Sequence, residues 1–303
     1  MWLKGNLHTH TNRSDGDSSP DEVVEWYRHH GYDFLSITDH GRFTDPAGVR
    51  DQGLILIPGT ELGVPILDTP GKSAHVNGFG ISETIEPEAK GGAAECLQGM
   101  VGLVLRAGGI AQINHPNWGY AFEHPAMMPV QGWTFLEVFN GHPQVNNLGG
   151  EGHPPVELMW DELLAAGRRV LAVAVDDSHH FREFSPQRAN PGRGWVVVNA
   201  EERRADAILS AMGRGDFYAS TGPTLRSIAV EGGVLRVEAE PSSGGSYRIE
   251  LIGGPGITLA DAASNAAEFR IADFAGRSRG YLRARVSATN GSAAWTQPVL
   301  VES

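Results

Sequence analysis

The sequence predicts an α/β chain: a parallel, barrel-like sheet with helices, followed by a small all-β sandwich. Three observations carry this. The chain opens as strand, helix, strand, the unit of a parallel sheet. Carboxylate or imidazole groups recur at the C-terminal ends of successive expected strands, where a parallel α/β barrel keeps its chemistry. After Gly222-Pro223 the helical spacing stops, and short alternating strands divided by Gly, Ser, Asn and Pro take over.

The first strand is expected over residues 3–8 and ends in Leu7-His8-Thr9-His10. Side chains alternate along an extended chain, so His8 and His10 point the same way. Ser19-Pro20-Asp21-Glu22 reads as a helix start, with a hydroxyl cap, an early proline and acids at the positive end of the helix. Val23, Val24, Trp26 and Tyr27 supply its apolar face, and Gly31 stops it. Strand two, residues 34–38, ends in Asp39-His40. Strand three, 54–58, leads to Glu61, and His75 precedes a fourth over 76–81. Residues 86–108 are expected to be mostly helical. Strands over 110–114, 135–139 and 170–175 lead to His115, to Glu137 with Asn140, and to Asp177 with His179. Helices are expected over 156–166 and 205–214, with a short strand over 194–198 between them. Asp177, two residues before His179, is expected to face the histidines, and Asp176 the opposite side.

In the second part, strands are expected over 225–230, 234–239, 246–252, 268–271, 281–288 and 295–301, with no helix among them. No histidine follows His180, so metal chemistry is expected in the first part alone. The expected domains are residues 1–222 and 223–303.

The composition narrows the function. A formal net charge of -12 argues against sequence-independent nucleic-acid binding and against docking on anionic membranes. No apolar run approaches the roughly 20 residues of a membrane span. No secretory signal is read ahead of His8, so the expected location is cytoplasmic. A single cysteine, Cys96, excludes an internal disulfide. Imidazole and carboxylate donors without thiolates suit Zn, Mn, Fe or Ni rather than a structural cysteine-zinc site. A carboxylate such as Glu61 can bridge two ions, and neighbouring ions can share a hydroxide and clamp an ester. The chain thus offers the parts of a hydrolase.

As an ordered set, His8-Thr9-His10 with Ser14-Asp15-Gly16, Ile37-Thr38-Asp39-His40, Gly59-Thr60-Glu61, Asn114-His115-Pro116 and Asp177-Ser178-His179 resembles the motifs of the PHP (polymerase and histidinol phosphatase) family. The resemblance covers about residues 1–222. It implies a distorted seven-stranded (β/α) barrel with a two- or three-metal centre that hydrolyses phosphoesters. It implies that His8, His10 and Asp177 bind a first metal and that Glu61 bridges it to a second. His75 and His115 would complete the second site, and Asp15, His40 and His179 would hold a third. Many members of the family carry histidine where this chain has Asp15. Residues 215–223 and the trailing strands resemble a short two-domain branch, similar to one containing carbamate and amide hydrolases.

The neighbouring residues have two readings each. His180 is a proton donor to the leaving group or a solvated loop residue. Arg42 and Arg182 are candidate phosphate clamps, because a guanidinium forks onto phosphate oxygens, or partners in surface salt bridges. Asp39 is read as orienting a ligand. Glu137 and Asn140 line the pocket or brace it. His124, His142 and His153 lie in loops around it. The expected function is a metal-dependent phosphoesterase acting on a small phosphorylated metabolite or nucleotide. A hydroxide bridging two or three divalent Zn, Mn or Fe ions would attack the ester, with Glu61, Asp177 and His180 in the catalytic set. An amide, carbamate or carboxylic-ester hydrolase with the same centre is the first alternative, and a noncatalytic metal-containing binding module the second. A proofreading nuclease is disfavoured, because the chain has no basic strip for DNA.

Overall fold

The first strand, helix and second strand form as expected: β1 (Trp2–Asn6), α1 (Pro20–His29) and β2 (Phe34–Ile37), with β1 and β2 parallel. The coordinates are a computed structural model and describe residues 1–241 and 246–301. The Glu22 amide donates to the Ser19 hydroxyl, and Glu22 Oε2 accepts the Ser19 amide at 2.7 Å, a reciprocal cap at the start of α1. Gly5 lets the Phe34 ring cross β1, since a Cβ there would stand 2.2 Å from the ring.

β3 (Ile55–Pro65) runs on well past the expected end. Its first residues pair parallel with β2, and from Gly59 onward it pairs antiparallel with β4 (Ser73–Phe79). Glu61 therefore lies within a strand rather than after one, and His75 sits inside β4 rather than ahead of it. The helix expected over 86–108 is shorter, α2 (Ala93–Arg106), and begins after Gly91, whose φ of 54° breaks any helix there. Its buried residues Leu97, Met100, Val101 and Val104 pack on β4 and on β5 (Ile110–Ile113). Then follow α3 (His124–Met127), β6 (Phe135–Asn140), α4 (Val156–Ala165), β7 (Leu171–Val175), β8 (Trp195–Asn199), α5 (Ala205–Arg214) and β9 (Phe217–Ser220).

The strands stand in the order β9-β8-β1-β2-β3-β4-β5-β6-β7. β1-β2-β3 and β5-β6-β7 are parallel runs, while β4, β8 and β9 reverse direction against their neighbours, so the sheet is mixed. Beyond its last strand the chain returns to the first. The His10 amide donates to the Ser178 carbonyl at 2.8 Å, and the Asp177 amide to the His8 carbonyl at 2.9 Å. The C-terminal ends of β1 and β7 thus meet on one side of a curled sheet.

The remaining elements are β10 (Leu225–Glu231), β11 (Val234–Ala239), β12 (Arg248–Gly253), β13 (Ile257–Ala263), β14 (Ala266–Arg270), α6 (Ala275–Ser278), β15 (Tyr281–Ser287), β16 (Ala293–Thr296) and β17 (Val299–Leu300). The strand expected over 295–301 is two, β16 and β17, parted at Gln297-Pro298, and two further elements were not expected. β13 is half-exposed and rich in Ala, so its apolar face is weakly marked, and α6 is a single turn. β10, β11 and β14 form a separate three-stranded sheet. It shares an apolar core of Leu235, Val237, Phe269, Ile249, Leu251 and Leu282 with β12 and β15. β16 pairs with β9, so the larger sheet continues from the first part of the chain into the second. Among the described residues no helix is long and apolar enough to cross a membrane.

A buried ion cluster fastens the second part to the first. Arg283 on β15 donates from Nε and Nη2 to the two oxygens of Asp161 at 2.7 Å each, and from Nη2 to Glu157 at 2.8 Å. Its guanidinium lies over the Trp160 ring, 4.7 Å from the centroid. Both acids are on α4. The Gln297 side chain bonds both ways to the Ala172 backbone on β7, at 2.9 Å each. Arg283→Met would leave Asp161 buried without its cation and Glu157 with Arg285 alone, 3.4 Å away. The expected cost is about 3–5 kcal/mol, read from the urea midpoint of unfolding. A loss under about 1 kcal/mol would show that the cluster does not hold the two parts together.

Candidate metal centre

Nine residues converge where β1, β2, β3, β4, β5 and β7 end or bend. They are His8, His10, Asp15, His40, Glu61, His75, His115, Asp177 and His179, and they form four overlapping groups. His8, His10 and Asp177 make one, His8, Glu61 and His115 a second, His40, Glu61 and His75 a third, and His10, Asp15, His40 and His179 a fourth. Glu61 sits at the middle. Its Oε2 faces His8 Nε2 at 3.1 Å, His10 Nε2 at 3.2 Å and His40 Nδ1 at 3.1 Å. Its Oε1 faces His75 Nδ1 at 2.9 Å and His115 Nε2 at 3.2 Å. Asp177 Oδ1 lies 3.3 Å from both His8 Nε2 and His10 Nε2. The half-exposed Asp15 reaches His179 at 3.4 Å, His40 at 3.5 Å and His10 at 3.6 Å.

This spacing fits divalent ions. With metal–ligand bonds of about 2.0–2.2 Å, ligand atoms around one ion stand about 3.0–3.5 Å apart. The Nε2 atoms of His8 and His10 are 3.1 Å apart and aim at the same carboxylate oxygens, an arrangement that a shared cation satisfies. The donor set of imidazole nitrogen and carboxylate oxygen suits a transition metal.

A layer of polar residues inside the strands holds the donors. Glu137 on β6 accepts from His8 Nδ1 at 2.6 Å, the His115 amide at 2.8 Å, Gln112 Nε2 at 2.9 Å and Asn140 Nδ2 at 2.9 Å. Holding the proton on His8 Nδ1 frees Nε2 for the centre. Asn114 Nδ2 donates to Glu61 Oε1 at 2.9 Å, and Asn140 Nδ2 to Asp177 Oδ2 at 3.1 Å. Asp39 accepts from Ser14, Thr11 and Thr44, fixing the turn that carries Asp15 rather than touching a histidine. Asp176 turns away, accepting from Tyr27 and from the Arg193 and Gly194 amides. Asp177 itself has φ of 50°, a left-handed backbone that costs an L-residue roughly 1–2 kcal/mol and that Asp tolerates better than most. Polar residues in the apolar strands β5 and β6 were the signal for this layer. Sequence left Glu137 and Asn140 between lining and bracing, and did not single out Gln112, the polar residue of β5.

The electrostatics are those of buried acids compensated by imidazoles. Burial disfavours ionised Glu61, yet His8, His40 and His75 hold its carboxyl well below the usual range. Burial also opposes ionisation of Asp177, and His8, His10 and His179 outweigh it. Burial works against protonated His8, but Asp177, Glu61 and Glu137 raise it well above the ordinary value. His40 is likewise raised, to about 9, as Glu61 and Asp15 overcome its burial. His142, a loop residue, is driven down to about 4 by burial.

Other residues near the motifs are not among the nine. His180 Nε2 faces Arg188 Nη1 at 3.5 Å, and its Nδ1 is buried without a partner. Arg182 pairs with Glu22 on α1 at 3.8 Å. Arg42 is exposed and joins no ion pair among the described residues. Trp118, partly exposed, forms the rim beside His75 and His115, with ring centroids 5.4 and 5.8 Å away.

Two expectations follow from this geometry. Without metal, His40 is protonated at pH 7, and an ion must displace that proton. Metal affinity is expected to rise as pH climbs towards 9, with proton release on loading at pH 7 read as buffer-dependent heat in calorimetry. Heat independent of the buffer would contradict it. Glu137→Gln is expected to weaken metal affinity about 10- to 100-fold in a chelator competition, since His8 and His115 lose their shared anchor. Unchanged affinity would remove Glu137 from that role.

No protein-family model and no curated protein matches this sequence. Solved structures do. A two-domain protein from Bacteroides vulgatus containing a predicted PHP-like metal-dependent phosphoesterase is similar at 17% identity and TM-score 0.53, over 99% of this chain and 95% of that one. An amidohydrolase from Chromobacterium violaceum is similar at 16% identity and TM-score 0.43, over 61% of this chain and 93% of that one. The first likeness spans nearly the whole chain, and it is one of fold: in architecture, this chain is PHP-like.

Proposed function

We propose that this chain is a metal-dependent hydrolase that cleaves small phosphoesters at a centre of two or three ions. The observation that carries the reading is Glu61: one buried carboxylate whose two oxygens each face a different set of imidazoles, as a bridging ligand requires. In this reading the curled sheet is the distorted seven-stranded barrel, residues 1–222, and residues 223–303 are the trailing sandwich. His8, His10 and Asp177 would hold one ion, Glu61, His75 and His115 another, and Asp15, His40 and His179 a third. Zn, Mn or Fe held by these residues would supply Lewis acidity for activating water and for offsetting charge on the ester.

The protein's own part is placement. Glu137 and Asn140 fix His8, His115 and Asp177 before any substrate arrives, so little reorganisation remains for the reaction. The partly exposed Asp15 and His40, with Trp118 on the rim beside His75 and His115, leave one side of the cluster open to a small molecule. The net charge of -12 disfavours a nucleic-acid polymer as substrate. One observation favours a second reading, amide, carbamate or carboxylic-ester hydrolysis. Arg182, one of the two guanidiniums expected to clamp a phosphate, turns towards Glu22 at 3.8 Å on the surface, a weak pairing, while Arg42 stays unpaired among the described residues.

The test is a side-by-side rate measurement on the metal-loaded chain with p-nitrophenyl phosphate, bis(p-nitrophenyl) phosphate and p-nitrophenyl acetate. Phosphoester turnover that chelation abolishes and added metal restores is expected. Glu61→Gln is expected to lower it by more than about 100-fold, beyond the loss of a supporting residue, with the fold retained by circular dichroism. Faster turnover of the acetate would favour the second reading. Full metal occupancy with no turnover of any of the three would favour a binding module.

A further inference from the structure

His142 stands at the edge of the cluster and takes no part in it. It follows Asn140-Gly141 at the end of β6, and its ring meets that of His179 edge-on, with centroids 5.7 Å apart. Its place is set by the centre itself. The His142 amide donates to Asn140 Oδ1 at 2.8 Å, and the same Asn140 side chain donates to Glu137 and Asp177. The Gly141 amide donates to the Val175 carbonyl at 2.9 Å, and the Gly141 carbonyl accepts from Arg193 Nη1 at 2.8 Å. A Cβ on residue 141 would stand 2.9 Å from the Asp176 carbonyl oxygen, so only glycine lets the turn lie this close to the end of β7.

The ring is also set in one tautomer. The Gln144 amide donates to His142 Nδ1 at 3.2 Å. A nitrogen that accepts carries no proton, so the imidazole is neutral with its hydrogen on Nε2. Among the described residues that Nε2 has no protein partner, and it is not one of their sealed, unpartnered atoms. The other loop histidines differ. His153 is bonded to Glu123 at 2.8 Å and stacked on Tyr120, and His180 faces Arg188.

We propose that His142 is a substrate-contacting residue, donating a hydrogen bond from Nε2 to a phosphoryl oxygen held on the His179 side of the centre. This rests on the phosphoesterase reading and adds a protein contact to the reacting group beside the metals. A neutral donor suits the position. It supplies an N–H where negative charge grows, without adding a cation to a cluster whose carboxylates already have their imidazoles. The imidazole keeps its proton throughout and transfers none. The ligand class it selects is a tetrahedral oxyanion, a phosphoester with a free non-bridging oxygen.

The test uses the full-length, metal-loaded chain and the variants His142→Ala and His142→Gln. Three quantities are read: metal per chain by elemental analysis, kcat and KM on p-nitrophenyl phosphate, and the calorimetric affinity for inorganic phosphate. In H142A, metal content is expected to stay at the wild-type value, kcat to fall about 100-fold with a smaller change in KM, and phosphate affinity to fall at least about 10-fold. H142Q retains an N–H near the same position and is expected to recover part of both losses. Unchanged kcat and phosphate affinity in H142A would overturn the proposal. Loss of metal from both variants would overturn it too, by making the ring a ligand. A wild-type chain that takes up no metal would fail earlier, at the hydrolase reading, and the elemental analysis tells the cases apart.

Discussion

Two ionised carboxylates, Glu61 and Asp177, are buried at the mouth of a curled sheet, and most of the surrounding chemistry answers that burial. An unpaired carboxylate in such a place costs several kcal/mol, so it must be surrounded by positive or donating groups. Five imidazoles face Glu61 alone, and Asn114 and Asn140 add amide donors. The same requirement explains why β5 and β6, otherwise apolar, carry Gln112 and Glu137 inward. A third buried acid, Glu137, is tolerable because four donors point at it.

The backbone is shaped to bring these groups together. β3 overruns its parallel partner and turns to pair with β4, which carries Glu61 and His75 across the mouth from opposite strands. The chain after β7 pairs back onto the chain after β1, so His8, His10 and Asp177 share one small volume. The left-handed φ at Asp177 is part of that return. Strain of this kind persists where surrounding bonds over-determine it, and the His8 carbonyl and the Asn140 amide do so here.

The second part of the chain contributes from a distance. Arg283 reaches α4, Gln297 bonds the backbone of β7, and β16 extends the sheet through β9. β7 leads directly to Asp177, so the trailing strands brace the strand from which part of the centre hangs. The ion cluster of Arg283, Asp161 and Glu157 is complete only when both parts are folded against each other. That favours cooperative unfolding of the two.

The alternation of apolar and polar residues, the cap at Ser19 and the histidine-carboxylate motifs are local features, and each was legible in the chain alone. They located α1 and most of the strands, and together with the family resemblance they nominated the nine residues that the structure gathers into groups able to hold metal. What could not be read depends on contacts between residues far apart. The antiparallel arm of β3 is specified by its pairing with β4, not by its own composition. The apolar face of β13 is weakly marked because the strand is half-exposed at a sheet edge. The turning of Arg182 towards Glu22, and of His180 towards Arg188, depends on where loops fall, and a charged side chain near a motif carries no mark of its direction. Glu137 reads as one acid in a strand; its role exists only through four donors, one from its own strand and three from two other segments. Residue types and spacing thus decide which chemistry the chain can host, because they depend on neighbours in sequence. The fold decides which groups meet, because burial and long-range hydrogen bonds are properties of the assembled chain.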